Sequence, residues 1–213
     1  METSAYFLDS PGAPLQHRST SLATPGRNEV VVEVQACGLC HTDLSFADGS
    51  VAPRHDLPLV LGHEITGRVV EAGEGYADWI GRPVLVPAVL PCGECDFCRA
   101  GRGNACPNQK MPGNDLDGGF ARHLVVPGGA LISLEDAPEG FALDDLAVVA
   151  DAVSTAYQAV VRSGLEEGDQ AIVVGAGGVG GFVVQIARAL GARVAACDVD
   201  AGRLKLAGEL GAG

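Results

Sequence analysis

The sequence predicts an α/β chain in two parts. Residues 1–151 form a β-rich domain, and residues 152–213 begin a doubly wound parallel sheet. Two patterns carry this prediction. Up to about residue 150, short β-rich runs alternate with Gly/Pro turns, as in a small barrel. Beyond it a helix, a strand, a glycine loop, a second helix and a second strand follow in the order of a βαβ unit.

The runs of the first part are Glu29–Gln35, Ile65–Glu71, Pro83–Pro87 and Phe120–Val126, rich in valine and separated by Gly/Pro turns. In the second part a helix is predicted over Thr155–Ser163, leading through Gly168-Asp169 to a strand at Ala171–Val174. A helix over Gly178–Leu190, closed by Gly191, then gives way to a strand at Arg193–Cys197. No internal repeat or low-complexity segment interrupts this plan.

Composition narrows the function classes. The 213 residues are 47% hydrophobic, enough for one large domain or two smaller ones with real cores. No apolar run approaches the roughly 20 residues that span a bilayer, and Met1-Glu2-Thr3-Ser4-Ala5 lacks the basic start of a signal peptide. A cytoplasmic protein is expected, with no membrane partner. The formal net charge of −13 argues against nucleic-acid binding, which needs a basic face to neutralise phosphates. Seven cysteines without a secretory signal point to metal or catalysis in a reducing compartment.

Four of them, Cys92, Cys95, Cys98 and Cys106, follow the pattern C-x2-C-x2-C-x7-C. Four thiolates on one loop can close a tetrahedral shell around Zn²⁺ with no open position, which makes the site structural. Pro91, Gly93, Gly101, Gly103 and Pro107 give the backbone the turns it needs to fold back on a metal. Three alternatives stand beside zinc. Disulfides suit neither the i,i+3 spacing nor the compartment. An iron–sulfur cluster is suggested by Cys106-Pro107, although a ferredoxin run has three residues before its last cysteine. Free thiols are the simplest option.

The glycine loop reads Gly175-Ala176-Gly177-Gly178-Val179-Gly180. It follows an apolar strand and opens a helix, the context a dinucleotide fingerprint requires. The first glycine makes the tight turn, the second admits a pyrophosphate, the third lets helix and strand pack, and the helix N-terminus faces the phosphates. Asp198 stands where an acidic residue is expected to accept bonds from ribose hydroxyls. A carboxylate there would repel a 2′-phosphate, favouring NAD over NADP. The simpler alternative is a glycine turn with Asp198 as a solvated cap.

Two further motifs are unremarkable alone: Gly38-Leu39-Cys40-His41-Thr42-Asp43 and Gly62-His63-Glu64. Taken in order with the cysteine loop and the nucleotide fingerprint, they make the chain resemble the zinc-containing medium-chain alcohol dehydrogenases from about residue 5 to its end. The resemblance implies a GroES-like β-barrel carrying two zincs, one catalytic and one structural, followed by a Rossmann domain that binds NAD. It implies Cys40 and His63 as catalytic zinc ligands and Glu64 as a neighbouring or alternative one. Asp43 would orient His63 through its other ring nitrogen. Thr42 would relay the substrate proton, His41 would lie near the cofactor pyrophosphate, and Arg203 near the adenosine ribose. The third ligand of the family precedes a threonine by four residues and is usually cysteine or glutamate. Here Asp151 precedes Thr155 by four, and aspartate is an acceptable, harder zinc ligand. The alternative is that Asp151 only caps the following helix.

The chain departs from the family at three places. Ser45 stands where some members continue the proton relay with histidine. Tyr76 closes the Gly-His-Glu signature where a small or aliphatic residue is usual. The chain also ends at Gly213, after two strands of a sheet that carries about six when complete, so a fragment of a longer enzyme is expected, with a homo-oligomer (dimer or tetramer) at full length. Within the family the likeness is nearest to the 6-hydroxycyclohex-1-ene-1-carbonyl-CoA dehydrogenases of anaerobic benzoyl-CoA breakdown. It rests on Val86-Pro87-Ala88-Val89-Leu90-Pro91-Cys92-Gly93, Met111-Pro112-Gly113-Asn114-Asp115, Gly118-Gly119-Phe120-Ala121 and Val149-Ala150-Asp151-Ala152-Val153. The substrate implied is a small molecule, a cyclic hydroxyacyl-CoA thioester. A CoA thioester needs a local basic patch, for which Arg99, Arg102, Lys110 and Arg122 are available; solvated surface charges are the alternative. A simple-alcohol dehydrogenase and a non-catalytic zinc- and nucleotide-binding relative are the competing functions.

Overall fold

Valine-rich strands dominate the first half of the chain and two short parallel strands the second. The structure is a computed structural model describing residues 1–213. Its strands are β1 Glu2–Leu8, β2 Gln16–Ser21, β3 Glu29–Gly38, β4 Leu59–Val60, β5 Glu64–Ala72, β6 Pro83–Val86, β7 His123–Pro127, β8 Ile132–Ser133, β9 Gln170–Val174 and β10 Arg193–Cys197. The α-helices are α1 His41–Asp48, α2 Asp96–Arg99, α3 Leu143–Leu146, α4 Ala152–Ser163, α5 Gly178–Ala189 and α6 Ala201–Glu209. They divide into two compact units, Met1–Ala150 and Asp151–Gly213. No helix is long and apolar enough to cross a membrane.

In the first unit an antiparallel sheet runs β7-β3-β5-β6-β8, and a smaller one runs β2-β1-β4. Val30 and Val32 of β3, Ile65 and Val69 of β5, Val84 and Val86 of β6, and Leu124 and Val126 of β7 form one buried cluster. Their i,i+2 spacing is the strand period that puts alternate side chains on one face. Each such side chain contributes about 1.5–3 kcal/mol on burial. Leu8, Phe46, Leu59 and Leu61 form a second cluster, in which α1 packs through Phe46. β3 carries register irregularities between Val31 and Val32 and between Val34 and Ala36. Such bulges re-aim a strand end; beyond them Cys37 and Gly38 pair with Ile65 and Glu64.

In the second unit β9 and β10 pair in parallel, from Gln170↔Arg193 to Val174↔Cys197. Val160 of α4, Val184 and Ala187 of α5, and Val173 and Val194 of the strands make its core. The βαβ unit is as the sequence predicts it.

The remaining differences from the sequence expectation have local causes. β1 and β2, unassigned in the sequence, pair in register from Glu2↔Ser21 to Phe7↔Gln16; their Ser, Thr and charged residues hide the apolar alternation. β3 runs on to Gly38, past Gln35. β7 starts at His123 rather than Phe120, because the Phe120 N–H donates to the Leu61 carbonyl (2.9 Å) and its own carbonyl accepts from Tyr6 N–H (2.8 Å). α4 starts at Ala152, three residues before Thr155.

Candidate functional site

The four-cysteine loop comes together in the first unit. Cys95 is the N-cap of the one-turn helix α2, which brings Cys98 round beside it. Sulfur–sulfur distances are 3.4 Å for Cys95–Cys98, 3.5 Å for Cys92–Cys106, 3.7 Å for Cys95–Cys106 and 3.9 Å for Cys92–Cys98. A regular tetrahedron with a metal–sulfur bond of about 2.3 Å has edges of about 3.8 Å, so the cage has the size of one zinc-like ion. No disulfide joins any of the seven cysteines, which sets the disulfide alternative aside. A cluster of several irons holds its cysteines farther apart. The backbone prepares the thiolate: N–H groups of Glu94 and Cys95 pointing at Cys92 pull its pKa down to about 6. Burial, and bonding to the Cys95 sulfur, push Cys98 up to about 12.

A second constellation lies between the end of β3 and the start of β5. α1 was not evident in the sequence because its N-cap is a cysteine. Asp43 takes over the capping, its Oδ2 accepting the Cys40 N–H at 2.9 Å, and Gly49 closes the helix with φ of +82°. The other oxygen of Asp43 accepts the Gly62 N–H at 3.0 Å and lies 3.3 Å from His63 Nδ1. One carboxylate thus ties both motifs together in an almost fully buried position. The Cys40 sulfur and a ring nitrogen of His63 come within 4.8 Å of each other. The Cys40 thiol points at the Thr42 hydroxyl, 3.8 Å away. His41, the first residue of α1, is exposed.

Glu64 is buried and lies against Gly38, where a β-carbon would collide with its carboxylate. The glycine is therefore required by the acid, a relation that spacing did not reveal. Cys37 was also missed. It is a half-buried thiol facing Gly62 and Gly119, pushed up to about 12 by burial, and so an inert packing group at neutral pH.

In the second unit Asp151 occupies the N-cap position of α4, and its Oδ1 accepts the Thr155 hydroxyl at 2.7 Å. The i,i+4 relation of the two residues therefore has a physical content: Thr155 orients the carboxylate. Asp151 follows directly on Ala150, whose carbonyl accepts the Ala88 N–H at 3.3 Å within the first unit.

The glycine loop turns at Gly175, φ +91°. A β-carbon at Gly180 would strike the Gly175 carbonyl, so helix and loop pass as closely as the fingerprint demands. At Gly177 and Gly178 a β-carbon would meet nothing within 4 Å. The protein's own packing does not require glycine there. Asp198 is not a solvated cap. Its side chain is 4% exposed, and its two oxygens accept the N–H groups of Ala176 (2.8 Å) and Asp200 (2.9 Å). These bonds hold its carboxyl below the usual range, with a smaller contribution from Arg203, 3.9 Å away.

The four cations considered for a CoA patch have different immediate neighbours. Arg99 pairs with Asp96, Arg102 lies over the Phe97 ring, and Arg122 pairs with Glu33. Lys110 lines one cleft and Arg122 another.

Comparison with known proteins agrees with this geometry. Residues 26–136, more than half of the chain, match the alcohol dehydrogenase GroES-like domain. The chain belongs to the zinc-type medium-chain alcohol dehydrogenase family. An alcohol dehydrogenase of Geobacillus stearothermophilus is 37% identical over 189 residues, covering 86% of this chain and 54% of that protein. The thermostable alcohol dehydrogenase of Pyrobaculum aerophilum, solved with cobalt and zinc bound, superposes with a TM-score of 0.88 at 29% identity, covering 100% of this chain and 64% of that one. The acetophenone reductase of Geotrichum candidum in complex with NAD gives 0.89 at 33% identity, covering 99% and 62%. The chain thus spans less than two thirds of each of these relatives.

Proposed function

We propose that the chain is the zinc-carrying domain and the first part of the nucleotide domain of a zinc- and NAD-dependent alcohol dehydrogenase. The observation that carries this reading is the meeting of the Cys40 sulfur and the His63 ring within 4.8 Å, with Asp43 3.3 Å from His63 Nδ1. A thiolate and an imidazole side by side, the ring oriented from behind by a carboxylate, fit a metal centre. Asp151 supplies the third donor, and three protein ligands leave a position for substrate, as in catalytic zinc sites. Cys92, Cys95, Cys98 and Cys106 hold a second, structural zinc.

When bound, zinc supplies a Lewis acid for the alcohol oxygen, and NAD a hydride acceptor. The chain's own residues do the rest. Asp43, 3.3 Å from His63 Nδ1, would accept a hydrogen bond from that nitrogen and leave Nε2 available to a metal. The Thr42 hydroxyl would accept the substrate proton and release it towards water, since Ser45 offers no imidazole for a longer relay. By the family likeness His41 would serve the cofactor pyrophosphate, for which Gly175, Gly177, Gly178, Val179 and Gly180 would form the cradle. Asp198 favours NAD, with Arg203 beside it. Glu64 stands behind the site as a further carboxylate. At full length the enzyme is a cytoplasmic homo-oligomer.

The substrate class in this reading is a cyclic hydroxyacyl-CoA of the 6-hydroxycyclohex-1-ene-1-carbonyl type. Its support is the aspartate at position 151 and the segments from Val86 to Gly93 and from Met111 to Ala121. CoA contacts must then come from outside the Arg99, Arg102, Lys110 and Arg122 set, or from part of it. Steady-state kinetics of the full-length enzyme with NAD test both levels. The thioester should be oxidised far better than the free acid or simple alcohols, because remote contacts to CoA position the reacting carbon. Comparable efficiency on ethanol or benzyl alcohol overturns the thioester and leaves a general alcohol dehydrogenase. Zinc at both sites without turnover of any alcohol overturns the enzyme.

A further inference from the structure

We propose that Asp198 is a positioning residue that fixes the turn of the glycine loop before any nucleotide arrives; this rests on the reading of that loop as a nucleotide cradle. The parallel ladder of β9 and β10 ends at Val174↔Cys197. One more backbone bond follows, from Gly175 N–H to the Cys197 carbonyl at 2.8 Å. The next donor in the loop is Ala176 N–H, and the Asp198 side chain takes the place of a strand carbonyl, with Oδ2 accepting at 2.8 Å. Its Oδ1 accepts Asp200 N–H at 2.9 Å, and Asp200 in turn caps α6 by accepting Arg203 N–H at 2.9 Å. A continuous set of bonds therefore runs from the loop through Asp198 to the start of α6. Ala176 is buried, as is nearly all of the Asp198 side chain.

This arrangement needs an acceptor on both oxygens. Asparagine has nearly the same shape, but in either flip its NH₂ faces one of the two N–H groups, and one of them loses its acceptor. Charge repulsion alone predicts that a neutral residue at 198 improves NADP binding. A positioning role predicts that the loosened loop weakens NAD and gives NADP no gain.

The test is amide hydrogen exchange on the intact cofactor-free protein, with NAD and NADP affinities measured in parallel. In Asp198→Asn, whichever of Ala176 N–H and Asp200 N–H faces the amide NH₂ should exchange at least about tenfold faster, the loss expected for a bond to a charged acceptor. The amides of Val184 and Ala187 in α5 should keep their protection. NAD should bind more weakly, and NADP should not bind better. Unchanged exchange at both Ala176 and Asp200, or an NADP affinity that rises as NAD affinity falls, overturns the proposal. Should Asp198→Asn fail to fold, Asp198→Glu keeps the charge but moves the carboxylate by one methylene. Faster Ala176 exchange and weaker NAD binding are expected there, and wild-type values for both overturn the proposal. If the wild type binds neither nucleotide, the cradle reading fails, while the exchange at Ala176 still decides the role of Asp198.

Discussion

Asp43 Oδ1 lies 3.3 Å from His63 Nδ1, and each side chain is 1% exposed. The same carboxylate accepts the backbone N–H groups of Cys40 and Gly62, so it organises the two segments that carry the proposed ligands. In Asp43→Asn the amide NH₂ must face at least one of these donors. A buried donor left without an acceptor costs about 1–3 kcal/mol, and loss of such a ring-orienting partner typically costs 10–100-fold in metal affinity or activity. Thermal denaturation together with zinc titration checks this, and a variant with wild-type melting point and wild-type zinc affinity would contradict it.

Much of this arrangement was legible in the sequence, though not all of it for the same reason. The cysteine loop and the βαβ unit are local, so their spacing is written directly in the chain. Gly180 follows from the fingerprint because one close contact forces it. α1 was hidden because Cys40 replaces the usual N-cap oxygen and Asp43 does the capping from the third position. The reason for Gly38 is Glu64, which is 26 residues away in sequence and its neighbour only through the β3–β5 register. That Lys110 and Arg122 line different clefts was likewise invisible, since only tertiary structure decides which charges share a face.

Cys92→Ser should destabilise the protein without touching the reacting atoms. A closed four-thiolate site supplies folding free energy through its metal, and a hydroxyl replaces one of the four thiolates poorly. The melting temperature and the zinc content of the full-length protein should fall together. An unchanged melting point with unchanged zinc would refute the structural assignment of this cage.

Tyr76 departs from the family pattern, and the structure shows what accompanies it. Its ring lies on Gly128, where a β-carbon would sit 2.6 Å from the ring, and its hydroxyl reaches Gly129. Gly128→Ala should therefore cost about 1–3 kcal/mol by overpacking. In Tyr76→Ala the same glycine substitution should be nearly neutral. A double-mutant cycle by urea denaturation reads the coupling directly, and additive effects would show that the ring and the glycine do not constrain one another.

His123 should make the first unit sensitive to mild acid. Burial lowers its pKa below the ordinary value of about 6.5, against a partial upward pull from Glu33. Its Nδ1 lies 2.9 Å from the Thr3 hydroxyl. Above pH about 6.5 the ring is neutral in both the folded and unfolded states and stability does not depend on it. As pH falls through that value the unfolded chain takes up the proton first, so stability declines until the lower folded pKa is passed. His123→Asn should remove this slope. Denaturation curves at about pH 7.5 and 5.0 should show a smaller pH dependence for the variant than for the wild type; an equal dependence would assign the acid sensitivity to other groups.

Asp151 is the residue on which the catalytic assignment depends most. Its carboxylate is oriented by the Thr155 hydroxyl at 2.7 Å, and an aspartate oxygen is a harder donor than the cysteine usual in this family, leaving more positive charge on zinc. If it is the third ligand, Asp151→Ala should lower the zinc content of the full-length protein from two towards one per subunit while Cys92, Cys95, Cys98 and Cys106 keep theirs. NAD binding should persist, because the glycine loop is untouched, and alcohol oxidation should fall by orders of magnitude with the Lewis acid gone. Asp151→Glu should retain part of the zinc and part of the activity, whereas Thr155→Ala should retain the zinc with reduced affinity. Two zincs in Asp151→Ala would show that the carboxylate serves only the start of α4. A wild type that holds one zinc, confined to the four-cysteine cage, would favour the non-catalytic relative over the dehydrogenase.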